Sequence, residues 1–216
     1  MEKKNSKIQL LFMLAIAVIA WAGIVLQFYL SATTWQNLGL SSSIGTIRFF
    51  SYFTILTNII VAISMSFILF RASSAAENFF EKVSTQTAIA IYIVVVGIIY
   101  HFLLRNLWSP EGLQFIVDNI LHSIVPLFYL IYWLIFVRKE KINWSKAFNW
   151  LIYPAIYFLW ILIFGALTKF YPYPFIDANA LGYPKVFLHA CILLIIFFGF
   201  GFIAIAIKKS VGKKIA

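Results

Sequence analysis

The sequence predicts an all-α membrane protein, a bundle of six transmembrane helices with both termini cytoplasmic, and three observations point there. Hydrophobic residues make up 63% of the chain, charged residues only 11%, and mean hydropathy is +0.94, far from a soluble globular average. Six continuous apolar runs approach or exceed the ~20 residues needed to cross a hydrocarbon core. When the helices alternate in direction, most of the lysines and arginines fall on one side, which the positive-inside rule assigns to the cytoplasm.

The first run, near residues 8–30, follows MEKKNSK. It exceeds the ~7 to 15 apolar residues of a secretory signal core, so a retained anchor is expected. SATTWQNLGLSSSIG then forms an outer loop leading to the second run, near 46–70. RASSAAENFFEKVS is a short amphiphilic inner loop before the third run, near 85–104, and the fourth follows near 113–137. The fifth lies near 147–167 and the sixth near 186–207, separated by KFYPYPFIDANALGYP, an outer loop stiffened by Pro172, Pro174 and Pro184. The runs lack the alternating pattern of a transmembrane barrel. No connection is long enough to fold alone, so residues 1–216 read as one domain.

Of the 17 lysines and arginines, Lys3, Lys4, Lys7, Arg71, Lys82, Arg138, Lys139, Lys141, Lys146, Lys208, Lys209, Lys213 and Lys214 share the cytoplasmic side; Arg48, Arg105, Lys169 and Lys185 lie at the opposite helix ends. The net charge of +10 is thereby a matter of topology and attraction to the bilayer's anionic headgroups, with no nucleic-acid partner implied. A multi-pass protein of the cell membrane is expected. Cys191 is the single cysteine, which excludes an intramolecular disulfide and a thiolate metal cluster. HExxH, GxSxG and Walker signatures are absent, and three scattered histidines with few carboxylates make no metal cage, so neither metal nor cofactor is expected. The oligomeric state has no signature in the pattern.

Polar residues concentrate where an apolar helix should not carry them. In RFFSYFTILTN, Ser51, Thr54 and Asn58 fall within about 60° of one another at 100° per residue, Thr57 lies a further 60° away, and Arg48 sits nearer the surface. Asp118 and His122 in VDNILHSIVP stack at i and i+4. Thr54 and His122 are each expected eight or nine residues beyond the outer starts of their helices, about 12 to 14 Å deep at 1.5 Å per residue. His101, Arg105 and His189 belong near the outer ends, the two histidines as structural groups or substrate contacts and Arg105 as an interfacial anchor or a substrate contact. The inner halves carry no ionisable group except tyrosine hydroxyls, so the pattern predicts a cup open to the outer side and sealed below, not a pore.

Each group also has a bland explanation. Serines and threonines in membrane helices commonly bond the preceding turn or a neighbouring helix, whereas an aspartate at the centre of an inserting helix costs roughly 2.5 to 3.5 kcal/mol and needs a partner. His122, Arg48 and Arg105 are the candidates for that partner. Asp118 orienting the His122 imidazole is the expected arrangement.

Three motifs carry a family likeness: YFT in the second run, LHSIVP in the fourth and YPYPF in the last outer loop. With six spans, the chain resembles the androgen-induced and androgen-dependent TFPI-regulating membrane proteins, as a distant bacterial branch. The resemblance implies a threonine hydrolase that cleaves lipid or fatty-acid esters, with Thr54 as nucleophile and His122 as base. The chain departs from the family in two places. Pro126 stands one position earlier than the family's proline, and Asp118 stands where those relatives have an amide. A shifted alignment would select Ser51 or Thr57 in place of Thr54. In this chemistry Asn58 or Ser51 donates to the oxyanion, and Arg48 or Arg105 holds a carboxylate or phosphate. The rival expectations are a noncatalytic lipid-binding or proton-coupled small-solute transport protein, and a structural partner of another membrane protein.

Overall fold

A computed structural model describes residues 6–70 and 75–210. It is all-helical, with no strand among the described residues. Six helices are long and apolar enough to cross a membrane: α1 (Lys7–Asn37), α2 (Phe53–Phe70), α3 (Val83–Leu107), α4 (Gly112–Ile135), α5 (Lys146–Thr168) and α6 (Tyr183–Lys209). Of the residues that assign orientation, Lys3, Lys4, Arg71, Lys213 and Lys214 lie outside the described residues.

Each apolar run becomes a helix, with differences at the ends. α1 continues to Asn37, well past Leu30, because nothing breaks it before Gly39, which takes a left-handed φ of 66°. The hydroxyls of Thr33 and Thr34 bond back to the Leu30 carbonyl in that extension.

The second run differs most. Residues 46–70 do not form one helix: a short helix, Ser42–Phe49, ends before a turn at Phe50–Tyr52, and α2 starts afresh at Phe53. Tyr157 donates its hydroxyl to the Ser51 carbonyl at 2.9 Å, an acceptor that a continuing helix would have kept for itself. The Tyr52 ring packs edge-on against Phe170 and Tyr173.

The chain divides into two compact units. One comprises Met1–Phe49 and Phe53–Arg138; the other comprises Phe50–Tyr52 and Lys139–Ala216. The first unit contains α1 to α4, and its core is a layer of fully buried apolar side chains: Met13 and Ile16 from α1, Val61 and Met65 from α2, Ile93 from α3, Leu121 and Val125 from α4. Toward the start of α3 and the end of α4 lies a buried polar cluster. Tyr132 donates to Gln86 Oε1 at 3.1 Å and the Trp133 indole donates to Thr87 Oγ1 at 3.0 Å. Thr87 in turn donates to the Val83 carbonyl at 2.7 Å, and the Gln86 amide to the Glu81 carbonyl at 2.9 Å.

In the second unit α5 and α6 are joined by a loop whose Asp177 caps the helical turn Ala178–Leu181 through the N–H groups of Asn179 and Ala180. Asn179 donates to the Lys169 carbonyl at 3.0 Å, which holds Lys169 at the end of α5 in its left-handed conformation.

Candidate functional site

The fourth run contains a proline four residues after His122, and the backbone answers it with a π turn. Residues Ile120–Ile124 adopt wide π geometry, closed by the Val125 N–H donating to the Ile120 carbonyl. Two carbonyls are left over. Leu121 finds no helical donor, because the Val125 N–H is taken by Ile120 and Pro126, the next residue along, has none. Asn58 fills that vacancy from α2: its side-chain amide donates to the Leu121 carbonyl at 3.2 Å and to the Thr54 carbonyl at 2.8 Å.

The His122 carbonyl also loses its helical donor, and α3 comes close beside it. A Cβ at Gly97 would stand 3.1 Å from that carbonyl oxygen and 3.3 Å from the Pro126 side chain, so glycine is what lets the two helices approach here. One turn on, α3 makes a π turn of its own at Tyr100–Leu104, closed by the Arg105 N–H on the Tyr100 carbonyl. The two π turns carry Tyr100 and His122.

Four side chains meet there. His122 Nε2 lies 3.4 Å from the Thr54 hydroxyl. Its Nδ1 lies 3.0 Å from the Asp118 carbonyl oxygen and 3.2 Å from the Asp118 carboxylate. Both Nδ1 neighbours are acceptors, which favours the tautomer with the proton on this nitrogen and the Nε2 lone pair toward Thr54. The second Asp118 oxygen accepts a hydrogen bond from the Tyr100 hydroxyl. The Tyr100 ring lies flat on the imidazole, with centroids 4.1 Å apart and planes 17° from parallel. Asp118 is buried, while the His122 side chain keeps 15% of its surface exposed.

Sequence reasoning placed Asp118 with His122, and the structure joins them; it offered Arg48 and Arg105 as alternatives and did not single out Tyr100. That tyrosine sits in VVVGIIYHFLLR, where a phenol inside an apolar run looks like packing. Its signal was the neighbouring His101 and the glycine three residues before.

The remaining candidates divide. Thr54 is the second residue of α2, not the eighth or ninth of a longer helix, because that helix breaks at Phe50–Tyr52. Ser51 therefore lies in the break and does not share a helical face with Thr54 and Asn58. Arg48 belongs to the separate helix Ser42–Phe49. Both amide hydrogens of Asn58 are given to backbone carbonyls, so Asn58 clamps α2 to α4 and is not an oxyanion donor. Thr57 is fully buried, and the hydroxyl facing His122 is that of Thr54. His101, which is exposed, pairs with Ser123 Oγ at 3.0 Å, and Arg105 is exposed near the C-terminal end of α3. His189 belongs to the second unit, where its Nδ1 lies 2.7 Å from the Phe175 carbonyl. Among the described residues, no group of three or more His, Cys, Asp and Glu side chains is placed to hold a metal ion.

No protein-family model matches the chain, and no curated protein or solved structure matches it either.

Proposed function

We propose that this chain is a membrane-embedded hydrolase of lipid or fatty-acid esters, with Thr54 as nucleophile and His122 as general base. One observation carries the reading: an imidazole nitrogen stands 3.4 Å from a threonine hydroxyl while the opposite ring nitrogen faces an aspartate. That distance is at the long end for a hydrogen bond, as is common in resting sites that tighten around substrate. The motif-level resemblance to the androgen-induced and androgen-dependent TFPI-regulating proteins supports the same two residues and the same substrate class.

The chemistry closes with these groups. Thr54 Oγ attacks the ester carbonyl as His122 Nε2 takes the hydroxyl proton, and the imidazolium gives that proton to the departing alcohol. Water then attacks the acyl-threonine, its proton passing through His122 back to Thr54 Oγ, and the carboxylic acid leaves. Asp118 stabilises the transient imidazolium. Thr54 lies in the first turn of α2, where the helix dipole favours developing negative charge.

The cation distribution supports a multi-pass protein of the cell membrane with both termini cytoplasmic, so that the pair faces the outer leaflet and its lipids. The apolar layer of Val61, Met65, Ile93 and Val125 favours a closed floor over a proton-coupled transport path.

The test is covalent. A lipid-like fluorophosphonate is expected to label the purified wild-type protein at Thr54, and Thr54→Ala and His122→Ala are each expected to abolish that label. Labelling that persists in both variants overturns the mechanism; proton-coupled uptake lost in Asp118→Asn would point to transport instead.

A further inference from the structure

We propose that Tyr100 is a positioning residue of this centre: its hydroxyl and its ring together hold His122 in the tautomer whose Nε2 lone pair faces Thr54. The proposal rests on the reading of Thr54 and His122 as nucleophile and base, and adds to it the element that keeps the base in register.

Two separate contacts argue for it. Asp118 has two carboxylate oxygens, and each has one donor: His122 Nδ1 at one, the Tyr100 hydroxyl at the other. A carboxylate with a single donor can swing about its own side-chain bond; one gripped from both sides keeps its acceptor aimed at Nδ1. The ring supplies the second restraint. A half-turn of the imidazole would carry Nε2 away from Thr54, and the phenol lying 4.1 Å away and 17° from parallel occupies the space through which the ring must sweep.

The backbone fixes both contacts from the same pair of turns. Tyr100 begins the π turn of α3 and His122 is the middle residue of the π turn of α4. Gly97, one turn before Tyr100, brings the helices together at the His122 carbonyl itself. π turns that interrupt α-helices occur often at functional sites, and here the two face each other. If Tyr100 were only interhelical glue, removing its hydroxyl would lower stability and leave the imidazole unchanged. If it is a positioning residue, the imidazole responds.

The experiment reads the imidazole directly. The full chain, with 15N-labelled histidine, is placed in lipid nanodiscs, and long-range proton–nitrogen correlations report which ring nitrogen carries hydrogen. The chain has three histidines, so His122→Gln assigns the signal. The wild type is expected to show the proton on Nδ1 alone. Tyr100→Phe keeps the ring and leaves the Asp118 carbonyl on Nδ1 but frees the carboxylate to swing, and is expected to move the His122 ring-nitrogen signals away from the pure Nδ1–H pattern, with the tautomers of His101 and His189 unchanged. Fluorophosphonate labelling of Thr54 should slow about tenfold, as when a partner orienting a functional histidine is lost.

A wild-type proton on Nε2 overturns the proposal without any variant. So does a Tyr100→Phe spectrum identical to wild type. A tautomer that shifts in a protein whose wild type never labels at Thr54 supports the role of Tyr100 and sinks the hydrolase reading. Labelling at Thr54 with an unmoved tautomer does the reverse.

Discussion

The cluster around His122 and the cluster around Gln86 lie in the same unit and both link α3 to α4, yet they are built differently. Around Gln86, neutral groups bond to one another: a phenol on an amide oxygen, an indole on a hydroxyl, a hydroxyl on a backbone carbonyl. Such bonds tie membrane helices together, with a mean near 0.6 kcal/mol each. Around His122, a carboxylate, an imidazole and two hydroxyls share protons in a line, and the imidazole ends on a lone pair aimed at Thr54. Burial of polar groups is common to both; directionality and an ionisable pair belong to one. The fully buried side chains of Ile93 and Val125 lie between the two clusters along α3 and α4.

Replacing the ionisable partner is the most direct way to break the contrast. Asn in place of Asp118 leaves the backbone carbonyl on His122 Nδ1 but removes the carboxylate beside it, so an imidazolium formed at His122 loses its stabilising charge. Asp118→Asn is expected to slow fluorophosphonate labelling at Thr54 about a hundredfold, the upper end for losing a partner that orients a functional imidazole. Stability should not fall with it, because a carboxylate within a membrane helix is costly. Thermal unfolding in detergent checks that arm. A midpoint that drops while labelling holds would make Asp118 structural, like its counterparts around Gln86.

Gly97→Ala probes the approach of α3 to α4 and should act more gently. Alanine favours a helix over glycine by about 1 kcal/mol, but its Cβ would press the His122 carbonyl at 3.1 Å, so α4 must yield by a few tenths of an ångström. We expect severalfold slower labelling with a nearly unchanged unfolding midpoint, since the two effects oppose. Unchanged labelling would mean that the site tolerates displacement of the turn that carries its base.

The sequence made the spans legible because continuous apolar runs leave little choice, and it made Asp118 with His122 legible because i, i+4 spacing on a helix guarantees proximity. The break at Phe50–Tyr52 was not legible. FFSYF holds neither glycine nor proline, and the Tyr157 hydroxyl that takes the Ser51 carbonyl lies over a hundred residues away. With the break, Thr54 stands at the start of a helix and Ser51 is off its face. Tyr100 was hidden for a related reason: in an apolar run its phenol has no local partner, and only the packing of α3 on α4 supplies Asp118.

The same atom can be removed from both clusters, which makes the sharpest comparison and the smallest effect. Tyr132, like Tyr100, is a buried tyrosine whose hydroxyl donates to a side-chain oxygen, in this case Gln86 Oε1 at 3.1 Å. Tyr132→Phe keeps the volume of the ring and deletes that donor, while the Gln86 amide keeps its bond to the Glu81 carbonyl. The cost is expected to be ~0.6 kcal/mol, with ~1.7 as an upper figure for a polar contact between membrane helices. The unfolding midpoint should fall slightly, and the rate of Thr54 labelling and the His122 tautomer should match wild type. Tyr100→Phe makes the identical chemical change about four turns along α3 from Gln86 and beyond Ile93, where the oxygen that loses its donor belongs to a carboxylate already serving an imidazole. Were Tyr132→Phe to slow labelling as much as Tyr100→Phe, the loss of a hydroxyl would be acting through the stability of the bundle, and the distinction between the two clusters would fall with it.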